Sequence, residues 1–160
     1  MLLLLLVPPY FRHFLVLTLG PTIDFAEYLI ADALENCISA FDGFGRTSLK
    51  IFAVRASDPS KLDKVSFQNL IKANTDVEKL FNLRLQNGVG GKQWEDIVRA
   101  FQKRHLLAHR MGVTDQSYLD ATGDPQAVVG RKIVITDNEV KELAASLEQL
   151  GSFLLVGLRP

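Results

Sequence analysis

The stretch QWEDIVRAFQKRHLLAHRM, residues 93–111, holds the pattern on which the reading of this chain turns. Trp94, Ile97, Val98, Phe101 and Ala108 recur at the spacing of an amphipathic helix with one face turned inward. On a wheel at about 100° per residue with Trp94 at zero, His105 falls near 20° and His109 near 60°, inside that apolar face. Arg104 falls near 280°, on its opposite flank. No acidic residue stands between Asp96 and Asp115, whereas Arg99, Lys103, Arg104 and Arg110 all do. Charges on a buried face are costly unless they pair, line a cleft or meet a ligand. A basic helix end beside two imidazoles suits an anionic ligand, phosphate first of all. The same residues also fit a plain helix terminus, because the helix dipole favours basic groups there and a histidine is often satisfied within a core. An i, i+4 histidine pair can ligate an ion. However, HLLAH carries Leu106 where a zinc protease has its glutamate, and no third ligand is evident, so no metal is expected.

Working outward, VSFQNLIKANTDVEKLF places Phe67, Leu70, Ile71, Val77 and Phe81 on one helical face from Ser66 to about Leu85. Asn74 falls on that face and requires a partner. The glycines of QNGVGGK, residues 86–92, read as a helix end and loop. They are not a phosphate-cradling Walker loop, since Lys92 is followed by Gln93 rather than Ser or Thr. Upstream, Ile30, Ala33, Leu34, Cys37, Ile38 and Phe41 define a helix over about residues 23–41, with Thr22 as its cap. DGFGRTS, residues 42–48, is expected to break it. Residues 49–65 fit either a continued helix or a short extended piece. Downstream, residues 112–130 are rich in turn formers. RKIVIT, residues 131–136, reads as a short strand, pairing near Val128–Val129. Thr136 to Glu139 has capping-box spacing and opens a last helix bearing Val140, Leu143, Ala144, Leu147 and Leu154. The expected fold is mainly α, a bundle of four or five helices with a small β element before the last helix.

At 160 residues the chain fits one domain with its own core. Lys plus Arg and Asp plus Glu each total 18, so net charge selects no partner and any electrostatic preference is local. Cys37 is the single cysteine, which excludes an intramolecular disulfide and a cysteine-based zinc site and fits a reducing, cytoplasmic setting. Residues 1–21 form an apolar arm. Its runs Leu2–Val7 and Phe14–Leu19 are too short to span a bilayer, and Pro8, Pro9, Arg12 and His13 separate them. A basic leader followed by a long apolar run is missing, so a buried or partner-covered arm is expected and no membrane.

Arg104, four residues and His109 match the R-x4-H motif of HEPN domains, and FQKRHLLAHRMGV resembles the corresponding stretch of prokaryotic HEPN nuclease relatives. YLDATGD, GRKIVITDNEVKELAASLEQLG and VSFQNLIKANTDVEKLF are similar to the flanking segments of the same relatives. The likeness covers about residues 22–155, within a domain of 22–160. It implies a helical bundle, a homodimer whose motif helices face each other, and metal-independent RNA cleavage without a cofactor, in a toxin or antiphage defence effector. By that likeness Arg104 holds the scissile phosphate, His109 moves the proton and His105 is a second proton carrier or an orienting group. Lys103, Arg110 and Arg99 then follow the RNA backbone. A cognate antitoxin or regulatory protein is a further implied partner. A relative subgroup carries Tyr two residues after the histidine; Met111 stands there, so regulation through a modified tyrosine is not expected. Some relatives are non-catalytic and bind nucleotides or partner proteins, and that alternative stays open here.

Overall fold

The computed structural model describes residues 25–159, so the apolar arm and the Thr22 cap lie outside the described residues. Five α-helices occur among them: α1 (Phe25–Ile51), α2 (Leu70–Phe81), α3 (Gly91–Arg110), α4 (Gln116–Thr122) and α5 (Asp137–Leu158). The expected helical bundle is what forms. Phe44 lies against Gly151 and Arg55 donates to the carbonyls of Gly157 and Arg159, so α1 and α5 run the same way. Gln93 donates to Ser146 at 3.0 Å and Lys103 to Glu139 at 2.6 Å, so α3 runs against α5. The core between them is built from Leu34, Ile38, Phe41, Ile97, Phe101, Leu143, Leu147 and Leu154.

The expected break at residues 42–48 does not occur, and α1 continues for 27 residues through both glycines. Gly45 is buried because the ring of Phe67 lies against it: a Cβ added there would sit 2.6–2.7 Å from three ring carbons. Its role is close approach, not termination. Phe67 also meets Phe41 edge to face at 5.5 Å. Between these residues Asp42 is buried, and its carboxylate accepts from the Phe67 amide at 2.5 Å and the Ser66 hydroxyl at 3.1 Å. Those two donors offset the cost of burying a carboxylate.

Ser66 and Phe67 are thus used to anchor the loop, and α2 starts later than expected, capped by Asn69. Its inward residues are Leu70, Ala73, Val77 and Leu80, while Ile71 is half exposed. Asn74 finds the partner its position requires, accepting from the Gln86 amide at 3.2 Å. Residues 49–65 resolve into the end of α1 and two 3-10 turns, Ala53–Arg55 and Pro59–Lys64. The capping box at Thr136 and Glu139 forms as expected.

The β element is a correction. No strand exists among the described residues, only an antiparallel bridge between Val113 and Lys132. Thr114 donates to Arg131, Gly130 to Thr114 and Ile133 to Gly112, each at 2.9 Å, so residues 130–133 pair with the exit of α3. Val128–Val129 cannot be the opposing strand because Arg131 donates back to Val128 at 3.0 Å, making those residues the turn itself.

The two glycines of α1 predict opposite responses. Gly43 meets nothing within 4 Å, so Gly43→Ala should raise stability by about 0.5–1 kcal/mol through helix propensity. At Gly45 the same gain is outweighed by overpacking against Phe67, and Gly45→Ala should cost about 1–3 kcal/mol net. Urea unfolding of the two variants beside wild type checks the sign of each.

Candidate functional site at the end of helix α3

The inward face of α3 turns as the helix proceeds. Ile97, Val98 and Phe101 are buried in the first half, as their spacing implies, but in the second half Lys103 and Leu106 are the buried residues. His105, Ala108 and His109 are exposed, which corrects their placement inside the apolar face. The cause lies downstream. Helix α4 and residues 112–135 pack along the other side of α3, and their anchor, Tyr118, is buried with its hydroxyl donating to Asp124 at 2.7 Å. Met111 and Gly112, with φ of 52° and 77°, turn the chain back, and the Gly112 amide closes on the Leu106 carbonyl at 2.9 Å. A regular wheel carries no information on that change of neighbours.

Lys103, expected to track RNA, is corrected for the same reason. Its side chain is buried, and Nζ donates to the Val134 carbonyl at 2.8 Å and to Glu139 Oε1 at 2.6 Å. Glu139 at the same time serves the capping box of α5 through its other oxygen. Lys103 therefore joins α3 to the start of α5.

Arg104 is partly buried between α3 and α1. It reaches α1, where Nε donates to Glu35 Oε2 at 2.5 Å and Nη2 to Glu35 Oε1 at 2.7 Å, with Gln68 Oε1 3.5 Å from Nη2. This side-on pair holds the guanidinium plane fixed and leaves the two Nη1 protons for another acceptor. The hydrogen bond from Arg104 holds the Glu35 carboxyl below the usual range against the opposing effect of burial, with the charge of Arg104 and the Ser39 hydroxyl adding to it. Neither Glu35 nor Gln68 was legible in the sequence as a site residue; both look like ordinary polar residues at the edge of an apolar stripe.

The rings of His105 and His109 lie with centroids 4.6 Å apart, tilted by 54°. A hollow of about 200 Å³ adjoins His105, lined by Gln68, Asn69, Phe101 and Gln102 among others. Gln68 thus links the two groups, bonding Arg104 on one side and lining the hollow with His105 on the other, and His109 follows His105 along α3. Arg110 lies close by, exposed and 3.6 Å from Asp115. Arg99 does not join them. It bonds Asp96 at 3.0 Å and lines a separate cleft between α3 and α5, with Nε buried and without a partner. Among the described residues, no group of three or more His, Cys, Asp or Glu is placed to hold a metal ion.

Comparison with family models, curated proteins and solved structures returns no match to this chain.

Two outcomes follow from these geometries. Lys103→Met removes the charge-assisted hydrogen bonds to Glu139 and the Val134 carbonyl and should cost about 1.5–3 kcal/mol in urea unfolding, whereas exposed Arg110→Ala should stay within about 0.5 kcal/mol of wild type. The second concerns pH. Because the folded-state pKa of Glu35 is depressed, its pair with Arg104 contributes fully above the unfolded-state value and is lost as pH falls through the folded-state value. Wild type should therefore melt above Glu35→Gln at neutral pH, and the gap should close on acidification. A gap independent of pH would show that the carboxylate charge is not what matters.

Proposed function

We propose that this chain is a HEPN-type, metal-independent endoribonuclease that works as a homodimer through the end of α3. The observation that carries the reading is the oriented guanidinium of Arg104, fixed by Glu35 with its Nη1 edge free, on the same half of α3 as the exposed His105 and His109. An arginine held in place before the substrate arrives loses little freedom on binding a phosphate, which is the arrangement electrostatic stabilisation requires.

The chemistry follows from the groups. An imidazole takes the proton of a ribose 2′-OH, O2′ attacks the adjacent phosphorus, and the bond to O5′ breaks as a second imidazole donates a proton to it. The products are a 2′,3′-cyclic phosphate and a 5′-hydroxyl. Arg104 binds the non-bridging oxygens, where negative charge is concentrated. His109 is assigned the proton transfer, and His105 orients it or carries a second proton.

Attack and departure occur on opposite sides of phosphorus, in line. Two rings 4.6 Å apart on one helix face approach a phosphate from the same side. A second copy facing the first supplies an imidazole from the opposite side, and two-fold pairing brings the same patch of each chain together. Tyr28, seven residues before Glu35 on the same face of α1, and Met111 at the end of α3 leave apolar surface exposed for such a contact. RNA as substrate fits a cytoplasmic protein, and no described helix is long and apolar enough to cross a membrane. As a toxin or defence effector, the protein would be silenced by a partner that covers this end of the bundle. A second reading is a non-catalytic module that binds a nucleotide or a partner through the same oriented Arg104.

Labelled RNA incubated in EDTA with wild type and variants separates the two. Cleavage should persist under chelation, His109→Ala should lose on the order of 10²–10⁴ in rate with its melting temperature unchanged, and Arg104→Lys should recover little, because an ammonium lacks the planar fork. Light scattering at micromolar concentration should give a dimer mass. A monomer without cleavage, destabilised by His109→Ala, would support the binding module instead.

A further inference from the structure

The hollow between the start of α2 and the middle of α3 is walled by groups of one kind. Gln68, Asn69 and Gln102 bring three carboxamides to it, His105 brings a ring, and Val98 and Phe101 make an apolar floor. No Lys, Arg, Asp or Glu among the described residues lines it. The carboxamides are largely unspent. Asn69 Oδ1 accepts from the Lys72 amide at 3.0 Å as the cap of α2, and Gln68 Oε1 stands 3.5 Å from Arg104 Nη2. The three NH2 groups, and the side-chain carbonyl of Gln102, bond to no described residue.

We propose, on the ribonuclease reading above, that this hollow seats one base beside the phosphate held by Arg104 and that it selects adenine. Size is the first reason. About 200 Å³ is below the about 300–1,000 Å³ of a pocket for a drug-sized ligand, so the hollow takes one flat ring system and leaves sugar and phosphate outside. Position is the second. Gln68 belongs both to the hollow and to the Arg104 contact, so no more than one side chain separates a seated base from the guanidinium. A ribose bridges a gap of that kind between a base and its phosphate. Bases of single-stranded RNA are recognised on flat rings, histidine among them, and His105 supplies one. Chemistry is the third. Guanine is read by Arg or Lys at O6 and N7, and cytosine by a carboxylate at N4, and the hollow has neither group. A carboxamide pairs with adenine through two bonds, its NH2 giving to N7 while its carbonyl takes from N6, and Gln102 has both functions free. Uracil offers a carboxamide a similar pair of groups, but its single ring covers less of His105 and of the apolar floor.

The test is an NMR titration of the full chain with the 2′-deoxy forms of ApA, GpG, CpC and UpU, following the side-chain amide signals of Gln68 and Gln102. ApA should bind on the order of tenfold tighter than each of the others and shift the Gln102 signals. Gln102→Met keeps the side-chain length and removes the amide; Gln102→Glu keeps a polar group that cannot donate to N7 at neutral pH. In both variants the ratio of ApA to CpC affinity should fall to near one, with the melting temperature held. Arg104→Ala should weaken all four dinucleotides alike and keep their order, which separates the base from the phosphate. Cleavage of the ribo forms in EDTA is read beside binding. Adenine preference that depends on Gln102 supports the subsite even where no RNA is cut, in which case the ribonuclease reading alone fails. Cleavage with equal affinity for the four, or with a preference that both Gln102 variants keep, would overturn the subsite and leave that reading standing. A preference for UpU would overturn the choice of adenine, and no binding of any of the four would overturn both.

Discussion

A buried lysine decides which side of α3 meets water. Lys103 lies where helix α3 passes from the four-helix core to the α4 region, and its ammonium is satisfied inside by the Val134 carbonyl and Glu139. Turning that position inward turns the opposite side outward, and with it His105 and His109. The interaction is also a junction. Glu139 caps α5, so one carboxylate ties the end of the motif helix to the start of the last helix. Lys103 is buried while Glu139 is half exposed, so the cost falls on the ammonium: without its carboxylate it would keep only the Val134 carbonyl inside the fold.

The arginine next in sequence is treated the opposite way. Arg104 reaches across to α1 and is fixed by the half-exposed Glu35, with part of its hydrogen-bonding capacity unspent. Adjacent residues on one helix thus serve as an internal clamp and an oriented group at the α1 contact. The long α1 supplies the counter-charge because it passes without interruption through Gly43 and Gly45. A break there, as glycine content alone suggests, would detach Glu35 from the loop that Phe67 anchors. Fold and site are therefore linked through α1: its core stripe packs and one flank holds Arg104.

What was legible in the sequence was the local part. The spacing of Ile97, Val98 and Phe101, of Leu70 and Val77, and of Val140, Leu143 and Leu147 marks helices whose inward faces the structure keeps. The capping box at Thr136 and the need of Asn74 for a partner follow from chemistry within a few residues. What was not legible depends on residues distant in the chain. Gly45 reads as a breaker until Phe67 lies against it, and residues 131–136 read as a hairpin strand until the exit of α3 proves to be the nearer partner. In the site, the cluster of Arg104, His105 and His109 was visible as a pattern. The exclusion of Lys103 and Arg99 was not, because a helical wheel assumes one set of neighbours along its length. Glu35 was invisible for a different reason: a glutamate beside an apolar stripe is usually only solvated.

The central claim is that the end of α3 presents Arg104 and the two histidines to one phosphate. Its most direct test is a side-chain NMR titration of the full chain with a non-cleavable 2′-deoxy dinucleotide, following the Arg Nε and His ring resonances. The account predicts that Arg104, His105 and His109 shift together with one midpoint, while Arg99 in its separate cleft does not move. Shifts at Arg99 with Arg104 and the histidines unchanged would contradict it and place the anion in the cleft between α3 and α5.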